Sequence, residues 1–217
     1  MPPEPSKDSK PRTRDRQGTA QGIVQAARDV LVEGGFPEFG VNAIARRAGC
    51  DKQLIYRYFG GLEGLADEIG SELALELESS LAPLTQENPP RSYQELAEVL
   101  VLGFLDLLLA DKIMQRIISW EMAAPSPLVT RMAAERGLRL AAWIHSMRGE
   151  LKPPDGIDAP AINAVLIASA QHLVISAAAT GAFAGVPLTK ETDWDRIRGT
   201  LRTLIQSVYG RTQENPG

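Results

Sequence analysis

The sequence has little of what catalysis, metal binding or disulfide formation requires. Its 217 residues include a single cysteine, Cys50, and only two histidines, His145 and His172. One cysteine cannot form an internal disulfide, which fits a reducing compartment such as the cytoplasm. Neither histidine stands at metal-ligand spacing with cysteine or carboxylates, and no Gly-rich phosphate loop or nucleophile motif is present. We therefore expect a cytoplasmic protein that is not an enzyme and that holds no metal and no cofactor.

The chain also lacks an apolar segment at its N-terminus, where residues 1–18 are polar, basic and rich in proline. This composition argues against a secretion signal and predicts a disordered arm. Such an arm can lie along phosphates or enter a minor groove, and it can equally be a solubilising tail, so both interpretations stay open.

One long stretch, between Asp158 and Lys190, has no charged residue at all. Its length would suffice to span a bilayer. However, it contains Asn163 and the polar pair Gln171-His172, it is rich in Ala and Ser, and no basic cluster flanks it. Small residues allow another helix to approach closely. We therefore expect a buried helix at a subunit interface and no membrane span.

Negative charge dominates the whole chain, whose net charge is −4, and at first sight this disfavours a nucleic-acid partner. The charge is unevenly divided, however. Residues 1–59 hold 10 Lys and Arg against 7 Asp and Glu, a net charge of +3, while the remainder carries −7. Because phosphate binding depends on local charge, the first part of the chain can still bind nucleic acid.

That first part contains the pattern of a helix-turn-helix, in residues 41–59 (VNAIARRAGCDKQLIYRYF). Ala48-Gly49 supplies the turn between two short helices, and Asp51 is placed to cap the second one. At 3.6 residues per turn this second helix has two distinct faces. The polar face consists of Lys52, Gln53, Tyr56 and Arg57, and the apolar face of Leu54, Ile55, Tyr58 and Phe59. The polar face suits base edges and phosphates, and an ordinary surface helix is the alternative interpretation.

Apolar periodicity and helix-breaking residues predict an all-α protein. A first helix over residues 19–33 stops at Gly34-Gly35. A helix over residues 62–81 is followed by a break between Pro83 and Pro90. The other predicted helices are residues 41–48, 52–59, 93–110, 112–123, 128–148, 160–184 and 194–209. The one at 93–110 is apolar nearly all round, which is typical of a buried helix.

Three separated segments, IVQAARDVLVEGGF, IARRAG and LIYRYF, carry a family resemblance. In order and spacing they closely resemble the DNA-binding domain of TetR-family transcriptional regulators over residues 20–70. The resemblance implies a homodimer with a three-helix DNA-binding domain, residues 19–62, and a larger helical ligand-binding and dimerisation domain, residues 63–217. It also implies a repressor that binds palindromic double-stranded operator DNA and is released by a small-molecule effector. The positions that commonly contact DNA in that family are Lys52, Gln53, Tyr56, Arg57 and Tyr58 in this chain.

Two positions depart from the family pattern. Gly40 replaces a usual Thr, and Leu62 replaces a usual Lys at the start of the next helix; both usual residues contact phosphates in the family. We therefore expect anchoring to the DNA backbone to depend on Arg46, Arg47 or the basic arm. The departures also motivate an alternative function, a helical small-molecule-binding or interaction protein of the same fold that has lost operator binding.

The second domain is predicted to dimerise and to hold the effector. Its last helix has an apolar face made of Ile197, Leu201, Leu204, Ile205 and Val208. With the helix at 160–184 it can form a four-helix interface across a two-fold axis. Bulky or adaptable side chains are candidates for the effector site, with an ordinary core as the alternative for each. These candidates are Phe104, Met114, Trp120, Met122, Trp143, His145, Met147, His172 and Phe183.

Overall fold

The computed structural model of this chain describes residues 11–123 and 125–210. The helices in these ranges are α1 (Pro11–Glu38), α2 (Val41–Ala48), α3 (Lys52–Phe59), α4 (Leu62–Glu87), α5 (Tyr93–Ala110), α6 (Lys112–Ala123), α7 (Pro127–Arg148), α8 (Ala159–Thr180) and α9 (Glu191–Tyr209). A hairpin of two short strands, β1 (Ala182–Phe183) and β2 (Val186–Pro187), lies between α8 and α9. The all-α prediction is confirmed apart from this hairpin.

Side-chain caps determine where several helices begin. The Ser92 hydroxyl accepts a hydrogen bond from the backbone N–H of Glu95 at 3.1 Å, and α5 follows directly. Asp158 accepts in the same way from the backbone N–H of Ala161 at 3.2 Å, at the start of α8. Such caps satisfy N–H groups that have no partner within the helix. α2, α3, α5 and α6 begin and end at the predicted residues, and the last three of these helices each begin at a side-chain cap.

α1 and α4 extend furthest beyond their predicted bounds, while α9 begins three residues and α7 one residue earlier than predicted. α1 begins at Pro11, so residues 11–18 of the expected disordered arm are helical, while residues 1–10 lie outside the described residues. A proline is well suited to the first turn of a helix, where its missing N–H would have no partner. α4 continues through Pro83, and the predicted break there is wrong. Leu81 and Thr85 on either side are buried, and their packing compensates for the single hydrogen bond that Pro83 cannot make.

The hairpin shortens the helix that was predicted to end at residue 184. Gly181 has a φ of 73° and caps α8 at Thr180. Ala184 and Gly185 then have φ values of 49° and 79°, and two central residues of positive φ are typical of the type I′ turn that joins antiparallel strands. The isolated Gly185 was too weak a signal to predict this turn.

The described residues divide into two compact units: those up to Ser71 with Trp120–Glu135, and Glu72–Ser119 with those from Arg136 onward. The core of the first unit consists of Ile23, Ala27, Leu31, Ile44, Ile55, Leu65 and Ile69, each at most 1% exposed. On the surface of the same unit, Arg131 of α7 donates to the Asp67 carboxylate of α4 at 2.5 and 2.8 Å. Residues 120–135 therefore group with the N-terminal helices.

Gly35 forms a kink inside α1, and the residues after it make a separate short helical segment up to Glu38. Its φ of 68° and ψ of −167° are non-helical, which confirms the stop predicted at Gly34-Gly35. This region of backbone space is almost restricted to glycine. The ring of Trp120 lies against Gly35, so closely that an added Cβ atom would come within 2.5 Å of it.

α5 lies at the centre of the second unit, with α8 and α9 packed against it. Two of its three acidic residues pair with α9: Glu98 accepts from Arg202 at 2.8 Å, and Asp106 accepts from Arg198 at 2.9 Å. Arg198 also binds Glu191 and Asp195 of its own helix. Glu98 and Asp106, the acidic residues within the apolar part of this helix, are thus ion-pair partners for the neighbouring helix.

The apolar residues of α9 are divided between buried and exposed positions. Ile197, Leu201 and Ile205 are buried, together with Trp194 and Tyr209, while Val208 is half-buried. Leu204, from the same predicted apolar face, is 49% exposed in the single chain. A side chain one position before Ile205 is turned by about 100° around the helix, which carries Leu204 away from α5.

One helix in the described ranges, α8, is long and apolar enough to pass a length-and-composition test for crossing a membrane. It has 22 residues and a mean hydropathy of 1.6 in its most apolar window, of which 17% is buried. Core helices of soluble proteins pass the same test, so it does not by itself indicate a membrane protein.

Candidate functional site

α3 is held at both ends by short-range interactions. Gly49 has a φ of 64° and ψ of 32°, which turns the chain between α2 and α3. The Asp51 carboxylate accepts a hydrogen bond from the backbone N–H of Gln53 at 2.8 Å. Gly60 has a φ of 75° and ends the helix, with its N–H bonded to the Tyr56 carbonyl. The predicted turn and cap are both confirmed.

The two faces of α3 are separated as its periodicity predicted. Lys52, Gln53, Tyr56 and Arg57 are exposed, whereas Ile55 is fully buried. Leu54, Tyr58 and Phe59 are half-buried. The side chains of Lys52, Gln53 and Tyr56 form no hydrogen bond with another residue in the described part of the chain. This polar face is therefore available to an external partner.

Tyr58 joins two arginines beside the C-terminal half of α3. The guanidinium carbon of Arg57 lies 5.1 Å from the Tyr58 ring centroid, and that of Arg16 in α1 lies 5.7 Å from it. Arg57 also donates to the Tyr58 hydroxyl at 3.2 Å. Cations over an aromatic face are attracted to its electron density. The contact brings Arg16, from the predicted basic arm, next to the polar face of α3.

Arg46 and Arg47, at the end of α2, differ in their surroundings. Arg47 forms an ion pair with Glu33 of α1, in which both side chains are partly exposed. Arg46 is exposed and has no ion pair with any residue that the structure describes. Both line a surface hollow together with Glu33 and Glu38. Arg46 is thus the freer of the two to bind a phosphate, since exposed ion pairs such as Arg47–Glu33 contribute little but still compete.

The two positions that depart from the family pattern offer no polar side chain. Gly40 caps α2 in an extended conformation, with φ −137° and ψ 148°, and provides no side-chain hydrogen bond. Asn42 lies inside the helix, at its second position, and does not cap it. Leu62 is half-buried at the first position of α4. Neither Gly40 nor Leu62 has a side chain that can bind a phosphate.

Cys50 has the environment of a structural residue. Burial raises the pKa of its thiol, and the neighbouring Asp51 carboxylate raises it further. A raised pKa leaves little of the thiolate, which is the reactive form of cysteine. Across the residues whose placement is described, no group of three or more His, Cys, Asp or Glu could hold a metal ion.

A cavity of about 430 Å³ lies in the second unit between α5, α7 and α8. Its walls are mostly apolar, with Leu96, Leu100, Val101, Ala141, Ile144 and Ile167 among the lining residues. The polar lining consists of Tyr93, His145, Arg148 and Asn163. A concave apolar site of this size with a few polar groups is typical of small-molecule binding.

Asn163 connects three helices at one end of this cavity. Its amide nitrogen donates to the Tyr93 hydroxyl at 2.9 Å, and its amide oxygen accepts from the Tyr209 hydroxyl at 2.9 Å. The rings of Tyr93 and Tyr209 meet edge to face, with centroids 5.1 Å apart. This network orders the starts of α5 and α8 and the end of α9 around the cavity.

Comparisons with known proteins identify the N-terminal helices and the fold. Residues 23–69 match the family model described as bacterial regulatory proteins, tetR family. Three solved structures share the fold: Salmonella enterica GusR, a TetR family transcription regulator from Marinobacter aquaeolei, and FadR from Bacillus subtilis in complex with stearoyl-CoA. Over these residues the chain is similar to the tetR family of bacterial regulatory proteins, and beyond them the solved structures show the same fold.

These similarities extend over most of each chain at low sequence identity. GusR is 18% identical, with a TM-score of 0.64 over 95% of this chain and 100% of its own. The Marinobacter regulator is 15% identical, with a TM-score of 0.58 over 91% and 97%. FadR is 18% identical, with a TM-score of 0.58 over 89% and 100%. No curated protein matches the sequence.

Most of the predicted effector residues of this chain lie outside the cavity. His145 lines it, but Phe104 and Met114 are buried in the core, and Met147 is half-buried in α7. Trp143 lines a separate hollow on α7, and His172 packs against Phe183 with ring centroids 4.6 Å apart. Trp120 lies against Gly35 in the first unit, and Met122 is 54% exposed. The structure does not gather the predicted set into one site.

Side-chain size explains why most of the predicted effector residues lie outside the cavity. Large apolar side chains fill the interior, whereas the cavity lies where smaller residues such as Ala97 and Ala141 leave space. Tyr93, Asn163 and Arg148 were not among the residues predicted from the sequence. One signal was available for Arg148, because Ala141, Ile144, His145 and Arg148 recur at intervals of three and four along one face of α7.

Proposed function

We propose that this DNA-binding regulator acts as a ligand-responsive repressor, and that its homodimer binds a palindromic operator. The observation that carries the proposal is the polar face of α3, on which Lys52, Gln53, Tyr56 and Arg57 are exposed on a helix capped at both ends. A second helix of a helix-turn-helix that presents such a face fits the major groove of DNA.

Each side chain on this face has a role that follows from its chemistry. Lys52 and Tyr56 bind phosphates, while Gln53 and Arg57 bind base edges. Tyr58 holds Arg57 in place and can reach the DNA with its hydroxyl. Arg46 and Arg16 supply anchoring to the backbone in place of the side chains missing at Gly40 and Leu62. Arg47 anchors the DNA backbone only when its ion pair with Glu33 is broken.

Exposed apolar surface on α8 and α9 supports the homodimer. Val165 is 69% exposed and Leu204 is 49% exposed. Ala161, Ala164, Ala168 and His172 are also exposed, and with Val165 they form a stripe along α8. Small residues on such a stripe permit close packing of the same helix from a second subunit. Two subunits would present two copies of α3 to the two halves of a palindrome.

The cavity between α5, α7 and α8 supports the response to a ligand. Its volume and apolar lining suit a small molecule. A ligand that binds better to the state without DNA shifts the equilibrium away from the operator, since ligand and DNA affinities are reciprocally linked.

A mobility shift with DNA from upstream of the protein's own gene tests the proposal. The full chain should bind this DNA at low salt. Lys52→Ala should weaken binding to all sequences. It should also reduce the slope of log affinity against log salt concentration by about one, since one phosphate contact is lost. Arg57→Ala should instead relax discrimination at one base pair by about 1–3 kcal/mol. Arg139→Ala, a matched change on α7 in the second unit, should leave binding unchanged.

A second function remains as the competing hypothesis, a helical ligand-binding or interaction protein that has lost operator binding. The absence of polar side chains at Gly40 and Leu62 and the Arg47–Glu33 ion pair favour it. This hypothesis is supported over the first if the protein binds small molecules but gives no mobility shift at low salt with any upstream DNA fragment.

A further inference from the structure

One charged group in the wall of the cavity lacks a hydrogen-bond acceptor. The Nε atom of Arg148 is buried and has no partner among the residues that the structure describes. Arg148 also forms no ion pair with any described residue. In the same unit, by contrast, Arg198 and Arg202 are paired with carboxylates. A guanidinium is charged at every pH at which proteins are folded, and a buried donor without an acceptor is destabilising.

Polar and apolar groups are separated along the cavity. Tyr93 begins α5, Arg148 ends α7, and Asn163 lies in the second turn of α8. The hydrogen bond from Asn163 to Tyr93 joins the starts of α5 and α8, and a loop of ten residues links the end of α7 to the start of α8. Leu100 and Ala141 lie two turns along their helices from these polar groups. The cavity thus has a polar end and an apolar end.

The hydrogen-bonding groups at the polar end suit an anion. The Tyr93 hydroxyl accepts from Asn163, and its proton is not donated to any described residue. Arg148 presents N–H groups in a planar fork that matches the two oxygens of a carboxylate. No aspartate or glutamate is among the lining residues, so a ligand carboxylate would meet no like charge there.

We infer that the cavity binds a small amphipathic carboxylate. Its carboxylate accepts hydrogen bonds from Arg148 and from the Tyr93 hydroxyl, and its apolar body packs along Leu96, Leu100, Ile144 and Ile167. The inference rests on the proposed function, because it names the chemical class of the effector for the same cavity.

Calorimetric titration of the full chain tests this with octanoate and naphthalene-2-carboxylate, each paired with its uncharged primary amide. At least one acid should bind about ten-fold or more tightly than its amide, because a charge-assisted pair is lost in the amide. Arg148→Met, which keeps an apolar stem, should remove most of this preference. Arg148→Lys, which keeps the charge without the fork, should retain part of it.

Two control variants locate the effect. Arg139→Met removes a charge from the same helix outside the cavity and should leave the preference intact. Ala141→Trp fills the cavity and should weaken the acid and the amide together. Thermal unfolding of each variant confirms that it is folded before it is titrated.

The inference is overturned if acids and amides bind equally, or if the preference for the acid survives Arg148→Met. In either case, the proposed function still holds if an amide binds the protein and weakens its binding to operator DNA. If no compound binds, both the inference and the ligand response fail. Operator binding without ligand, measured by mobility shift in the same preparations, then shows whether the DNA-binding half of the proposed function still holds.

Discussion

Gly35 is a position at which one missing methyl group matters. Its backbone is in a region nearly closed to other residues, and the ring of Trp120 occupies the space where a Cβ would lie. The expected result of Gly35→Ala is a loss of about 1–3 kcal/mol in the free energy of unfolding. Chemical denaturation measures this loss.

Gly22→Ala is the matched control for this substitution. Gly22 is also in α1, has helical geometry and has no atom within 4 Å of an added Cβ. Alanine there should raise stability by up to about 1 kcal/mol, because it favours the helix. If both substitutions had the same effect, the close contact between Gly35 and Trp120 would not exist in solution.

Tyr209 should make stability depend on pH in alkaline solution. Burial, helped by Tyr93 and Asp158, raises the pKa of its hydroxyl from 10.0 to about 12. Between these values the unfolded chain has lost the proton and the folded chain keeps it. Stability is therefore fully present below pH 10 and falls as the pH rises toward 12.

Comparison with Tyr209→Phe isolates this effect. At pH 9 the variant should be less stable by about 1–2 kcal/mol, because the Asn163 oxygen loses its donor. The difference from the parent should then shrink between pH 10 and 12, as measured by denaturation at each pH. A constant difference over this range would show that Tyr209 is not buried in its neutral form.

At the scale of the helix, the stability of α3 depends on its N-cap, Asp51. Asp51→Ala removes the acceptor for the Gln53 N–H and should lower stability by about 0.5–2 kcal/mol. Asp51→Asn keeps a good cap and should retain most of the stability. Denaturation curves of the three proteins measure this, and equal losses in both variants would assign the effect to the charge of Asp51.

Helices were predictable where their signals were local. Ser92, Asp51 and Gly49 lie within a few residues of the boundaries that they set, so the bounds of α2, α3 and α5 could be derived from sequence. α4 passes through Pro83 because of burial around Leu81 and Thr85. Burial depends on distant residues, so that helix was predicted too short.

At the scale of the whole molecule, the exposed stripe on α8 predicts a dimer. In analytical ultracentrifugation the parent protein should have a molecular mass twice the 23.5 kDa of one chain. Val165→Arg should shift it to a single chain, because two like charges would be buried together across the two-fold axis. Operator affinity should fall with the loss of the second half-site.

Ile113→Arg is the control for this substitution, since Ile113 is exposed on α6 rather than on α8 or α9. It should leave the mass unchanged. A parent protein that sediments as a single chain would contradict the homodimer, and one that partitions with membranes would instead favour α8 as a span.

The candidate site was only half predictable. The polar face of α3 follows from helical periodicity over Lys52–Phe59, and the structure exposes the four residues assigned to it. The effector candidates were chosen by bulk, and bulky residues such as Phe104 and Met114 fill the core instead. Bulk indicates burial, but it does not indicate where packing leaves a space.

The sequence by itself determined the features that act over a few residues. These are the capped α3, its two faces, the turn at Gly49 and the positive charge of the first 59 residues. Only the tertiary structure decided which distant residues meet. Asn163 bonds Tyr93 across 70 positions and Tyr209 across 46, and Arg148 lies in the wall of a cavity built from three helices. Such contacts depend on how whole helices pack, and local periodicity carries no information about that.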